Sequence, residues 1–207
     1  MTRENSSATN NLELNEGDNF IFGVDVSASM GTQDCPAGMS RIEYLKEKVT
    51  QFAIQASQYD TDGIDVLTFG ERVTHYKNIS AENAANVISG LRANESATDT
   101  AELIRRAWQL HKNGGYEQTV LFVATDGEPS SRSAVKRAII DVTNQVTDPR
   151  EFNISFLTVG EVNQSLRDFL TRLDDELTAE GAKHDIVDVK ALSDVDFMSA
   201  FAGAIND

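Results

Sequence analysis

A chain of 207 residues, 40% hydrophobic and 25% charged, carries enough apolar material for one sizeable core; dividing it would leave two small ones. The formal net charge of −15 argues against nucleic acid and anionic membranes as partners, because so acidic a surface repels phosphate. The single cysteine, Cys35, excludes an intrachain disulfide, no apolar stretch is long enough to span a bilayer, and the first residues lack the apolar core of a signal peptide, so a cytoplasmic location is expected.

Residues 1–18 are polar and without apolar period, and read as a flexible tail; residues 19–207 read as one α/β domain. Phe20 to Val26 is a short apolar run that suits a strand buried on both faces of a parallel sheet. After a loop of small residues, a helix is expected from Ser40, where Ser40 and Glu43 form a capping box and Ile42, Leu45, Val49, Phe52, Ala53 and Ala56 recur at helical spacing. Ile64 to Phe69 is a second strand. Gly70-Glu71-Arg72 joins it to Val73–Tyr76 by a link so short that the two can only be antiparallel.

A short helix from Ala81 to Leu91 leads to the polar loop RANESATDT. The next helix, Thr100 to Lys112, has Asp99 placed as its N-cap with Glu102 three residues on, and Gly114-Gly115 to end it. Thr119 to Thr125 is the most apolar strand of the chain. A helix through Val135, Ala138, Ile139 and Val142 follows, then a strand from Ile154 to Val159, a helix from Ser165 to Glu180, a short strand from Ile186 to Val189 and a last helix opened by Ser193. Strands alternating with helices predict a mainly parallel six-stranded sheet with one antiparallel edge strand and helices on both faces.

Three places put small oxygen-bearing side chains just beyond buried strands: Asp25-Val26-Ser27-Ala28-Ser29, Thr98 ahead of a helix, and Asp126 after the most apolar strand. Alternation along an extended chain aims Asp25, Ser27 and Ser29 in roughly one direction. Ligands of open α/β sheets bind outside the carboxyl ends of the strands, so neighbouring first and Thr119–Thr125 strands would set Asp25 and Asp126 across one crevice. Five oxygen donors without sulfur or imidazole suit a hard cation, Mg²⁺ or else Mn²⁺ or Ca²⁺.

In this pattern the chain resembles the von Willebrand factor A domains. DVSAS matches the DxSxS signature, and Thr98 and the Thr125-Asp126-Gly127 triplet match the other two parts of that family's metal-ion-dependent adhesion site. The resemblance covers the chain from about Phe20 onward, with Ala28 and Ala97 standing where the family commonly has glycine. It implies a Rossmann-like fold, Ser27, Ser29 and Thr98 as hydroxyl ligands, and Asp25 and Asp126 as holders of water ligands or direct ligands according to conformational state. It also implies a cation that binds an Asp or Glu of a partner protein, often in an adaptor or subunit that works beside an ATPase. In some members metal ligation is coupled to movement of the last helix.

No catalytic residue is assigned, and a non-enzymatic binding module is expected. The sequence has no GxGxxG after the first strand, no lysine where a phosphate-binding loop needs one, and no G-x-S-x-G elbow. His75, His111 and His184 read as strand or surface residues, Cys35 as an inert thiol, Trp108 as core, and Gly31 to Met39 as the rim of the site. The alternative is a Mg²⁺-dependent phosphohydrolase using Asp25 or Asp126. It needs a basic group, and the motif loops offer only Arg92 at an edge.

Overall fold

The computed structural model describes residues 18–57 and 63–195. The expected tail lies outside these residues apart from Asp18, and so does the expected last helix beyond Val195; Leu192–Asp194 form a single 3₁₀ turn. The strands are β1 (Asp18–Asp25), β2 (Ile64–Phe69), β3 (Val73–Ile79), β4 (Gln118–Thr125), β5 (Phe152–Thr158) and β6 (Val187–Ala191). The helices are α1 (Arg41–Ala56), α2 (Ala84–Ser89), α3 (Thr100–Gly114), α4 (Arg132–Thr143) and α5 (Gln164–Asp175). The sheet runs β3-β2-β1-β4-β5-β6, with β3 antiparallel to β2 and every other pair parallel, as expected. Among the described residues no helix is long and apolar enough to cross a membrane.

Strand alternation divides the core into two layers. Phe20, Phe22 and Val24 of β1 join Val120, Phe122 and Ala124 of β4 beneath α1 and α2, while Ile21, Leu121 and Val123 point into the layer under α3, α4 and α5. The first layer centres on Phe52 of α1, whose ring lies 5.4 Å from that of Phe22 and 5.2 Å from that of Phe122. On the other face Gly23 is glycine because a Cβ there would sit 2.7 Å from a Leu103 methyl, so its bare backbone lets α3 pack closely.

The helix starts follow their caps. Ser40 and Glu43 make the full capping box of α1, and the Asp99 carboxylate accepts from the Glu102 amide at 3.0 Å. Two helices are shorter than their apolar patterns predict. In place of the first turn expected from Ala81, Ser80 donates its amide to the Asn83 side chain and closes a turn of its own. Helix α5 stops at Asp175 instead of Glu180, where Asp174, Asp175 and Glu176 bring negative charge to the negative end of the helix dipole.

Truncating the ring at the centre of the first layer, Phe52→Ala, is expected to cost about 3–5 kcal/mol. Urea unfolding followed by far-UV circular dichroism measures it, as a lower midpoint with an unchanged slope.

Candidate metal centre

β1 and β4 pair in parallel up to Val24 opposite Ala124, and α1 and α4, which follow them, pack on opposite faces of the sheet. The crevice between the diverging connections is where Asp25 and Asp126 end up. Asp25 is fully buried. Its Oδ1 accepts from the Ser27 amide at 2.8 Å and its Oδ2 from the Thr125 hydroxyl at 2.6 Å. From there a chain of oxygens runs outward: Ser27 Oγ lies 3.0 Å from Ser29 Oγ, and Ser29 Oγ donates to Asp126 Oδ1 at 2.8 Å. Ser29 is exposed while Asp126 and Ser27 are buried, so the row leads from the sheet to the surface.

The segment after β1 is held open by its neighbours. Val26 donates its amide to the Phe69 carbonyl, and its own carbonyl accepts from the amides of Asn94 and Glu95. Met30, fully buried, anchors the short 3₁₀ turn that carries Ser29. Thr98 is buried on the third loop, where its amide donates to Ser130 Oγ at 3.1 Å, its carbonyl accepts from the Ser130 amide at 2.9 Å, and Asp99 N bonds the Gly70 carbonyl. Asp25, Ser27, Ser29 and Asp126 are thus joined by direct hydrogen bonds. Thr98 is fixed through its backbone.

Burial pushes the Asp25 carboxyl up to about 6, against the hydrogen bonds from Ser27 and Thr125, which lower it, and with the nearby Asp126 charge adding to the rise. No basic side chain among the described residues forms an ion pair with Asp25. Asp126 differs: Arg41 Nη1 donates to its Oδ2 at 2.6 Å. Arg41 also holds Asp34 with Nε at 2.8 Å and with Nη2, and Nη2 donates to the Glu161 carbonyl at 2.8 Å. These carboxylates hold the guanidinium proton more firmly than usual, and the Arg41 guanidinium in turn holds the Asp34 carboxyl below its ordinary range.

Arg41, which lies outside the motif loops, is the basic group that the expectation of Arg92 alone missed. Arg92, the one candidate from the loops, donates instead to the Ser89 and Leu91 carbonyls. A signal for Arg41 existed in the sequence: a helix that follows β1 begins at the carboxyl edge of the sheet, and Arg41 is the first residue after its cap. The expected rim, Gly31 to Met39, does border the site and supplies Asp34. Cys35 is buried, with a thiol that burial pushes up, as expected of an inert residue. Trp108 is core, stacked on His111, whose ring bonds Thr119 Oγ1.

The donor set fits a hard divalent cation. It offers hydroxyls and carboxylates, with no sulfur or imidazole among its members, and a fully buried carboxylate that lacks a fixed counter-charge among the described residues. Ser27, Ser29 and Thr98 would supply direct oxygens, with Asp25 and Asp126 beside them.

Comparison with known proteins matches residues 20–128, more than half of the chain, to the model of the von Willebrand factor type A domain. A search of curated proteins found no match. Among solved structures, the manganese-loaded TRAP protein of Plasmodium vivax superposes with a TM-score of 0.60 at 13% identity, over 92% of this chain and 74% of that one. A von Willebrand factor type A protein from Catenulispora acidiphila gives 0.57 at 18% identity, over 91% of this chain and 43% of that one. A D319A mutant of the PilB minor pilin of Streptococcus sanguinis gives 0.63 at 11% identity, over 93% and 61%. At these identities the likeness is one of fold.

In metal-free protein the raised Asp25 value means that the folded state holds this proton more tightly than the unfolded chain. The stability linked to it is full below the ordinary value of 3.8 and is lost as pH rises through about 6. Asp25→Asn removes the buried charge, so in EDTA it is expected to stabilise the protein by about 2 kcal/mol near neutral pH and by almost nothing near pH 4. Urea unfolding of both proteins at the two pH values checks this; an equal difference at both would contradict it.

Proposed function

Because the chain belongs to the von Willebrand factor type A domain family, we propose that it is a protein-binding module that holds one divalent cation at Asp25, Ser27, Ser29, Thr98 and Asp126 and binds an acidic side chain of a partner protein there. The observation that carries this reading is Asp25. A carboxylate buried to zero exposure normally has a counter-ion, and among the described residues this one has only neutral donors. It stands at the inner end of a row of hydroxyls whose outer member, Ser29, is exposed.

The residues divide the work. Asp25 orients the Ser27 backbone, Asp126 accepts the hydrogen bond of the Ser29 hydroxyl, and the serine oxygens are left with lone pairs to offer. A bound Mg²⁺ or Mn²⁺ would supply local positive charge and an exchangeable position for a partner's Asp or Glu. On a chain of net charge −15 such a spot would stand out as attractive to an acidic ligand. The role of adaptor or subunit in an intracellular complex, an ATPase neighbour included, belongs to the same proposal and rests on the family resemblance.

The phosphohydrolase alternative is weaker even with Arg41 in place. A phosphate-binding arginine needs free donors, and four of the five N–H groups of Arg41 are committed to Asp34, Asp126 and the Glu161 carbonyl. Among the described residues no general acid or base beyond Asp25 and Asp126 is hydrogen-bonded to the oxygen row.

Calorimetric titration with Mg²⁺ and Mn²⁺ is expected to show one site in the wild type, weakened on the order of tenfold or more in Asp25→Ala and Ser27→Ala. Equal uptake by all three proteins would remove the metal. Partner capture that persists in EDTA would remove the metal-mediated mode, and phosphatase activity lost in Asp25→Ala would favour the enzyme.

A further inference from the structure

The two carboxylates that look alike in the sequence are electrostatically unequal. Both oxygens of Asp126 are engaged, Oδ1 by the Ser29 hydroxyl at 2.8 Å and Oδ2 by Arg41 Nη1 at 2.6 Å. The Asp126 side chain is 0% exposed and that of Arg41 10% exposed, so water weakens this charge-assisted bond little. Among the described residues Asp25 has no such partner. We propose that Arg41 is a positioning residue that ties up Asp126 and keeps it from ligating the cation directly, so that the site reserves positive charge for the partner's acidic group. This rests on the metal-binding reading above.

The guanidinium cannot give up its proton, and it has little freedom to swing away. Nε and Nη2 form a fork on Asp34, Nη2 also reaches the Glu161 carbonyl, and the Glu161 amide donates to Asp34 Oδ2 at 3.1 Å. Gly160 completes the clamp. Its φ is +66°, and a Cβ there would run into the Asp34 carboxylate and the Arg41 guanidinium. Three segments, the β1–α1 connection, the end of β4 and the β5–α5 connection, are thereby locked around one cation of the protein's own.

A guanidinium and a dication that draw on the same carboxylate repel each other. Arg41 therefore lowers what Asp126 can give the metal and leaves it the task of accepting the hydrogen bond of the Ser29 hydroxyl. Asp34 moderates this effect, because it shares the guanidinium's charge with Asp126. Removing Arg41 and removing Asp34 should act on the metal in opposite directions. A clamp that merely stiffened the loops would give both variants the same sign.

The test uses the full chain and Mn²⁺ alone, with affinity from calorimetry and Mn²⁺-bound water from water-proton relaxation. Arg41→Gln is expected to bind Mn²⁺ on the order of tenfold more tightly, with about one fewer bound water as Asp126 joins the cation. Asp34→Asn is expected to bind several-fold more weakly with its bound water unchanged. Weaker binding by both variants, or no change in Arg41→Gln, would overturn the proposal. Should Arg41→Gln fail to fold, Asp126→Ala decides: unchanged bound water relative to the wild type supports the proposal, and about one extra water overturns it. Absence of Mn²⁺ uptake by the wild type would remove the metal reading and this inference together, whereas uptake with the wrong response of the variants would remove this inference alone.

Discussion

The parallel pairing of β1 with β4 is the contact from which the rest of the molecule follows. The two strands run side by side from Asp18 opposite Gln118 to Val24 opposite Ala124, and α1 and α4 cover opposite faces of the sheet. Two connections that part in this way leave a gap at the carboxyl edge, and backbone groups there must find partners outside the ladder. They find them in the loop around Asn94 and Glu95, which bonds the extension of β1, and in Phe69 at the end of β2. The same pairing buries Asp25 completely and brings the Thr125 hydroxyl to it.

The site that results is built on contrast between two acidic residues. Asp25 lies deep, holds neutral donors and takes its proton more readily than an ordinary carboxyl. Asp126 is equally shut from water and is already paired with a guanidinium. In a low-dielectric crevice such a difference counts for more than it would on the surface. A cation entering between them would meet one carboxylate that needs it and one that does not.

Much of this was legible in the residues. Short apolar runs located the strands, and the three-residue link Gly70-Glu71-Arg72 was enough to make β3 antiparallel. Ser40 with Glu43, and Asp99 with Glu102, announced two helix starts because capping is a local exchange of hydrogen bonds. Helix ends were harder to read. Leu177 is buried like a helical core residue, yet the helix stops before it under the charge of Asp174, Asp175 and Glu176. At Ser80 a side-chain amide competed with the first turn of α2 and won.

What the sequence determined by itself was the pattern of strand-end oxygens, Asp25, Ser27, Ser29, Thr98 and Asp126, and the α/β order that brings Asp25, Ser27, Ser29 and Asp126 together, since both depend on spacing along the chain. Only the tertiary structure decided which charges share the crevice. Arg41 and Asp126 are 85 residues apart, and Arg41 and Glu161 are 120 apart. No periodicity or local preference connects such positions. A long side chain at the first turn of a helix can reach outward to solvent or back over the strand ends, and what turns Arg41 inward is the simultaneous presence of Asp34, Asp126 and the Glu161 carbonyl, which only the folded chain assembles.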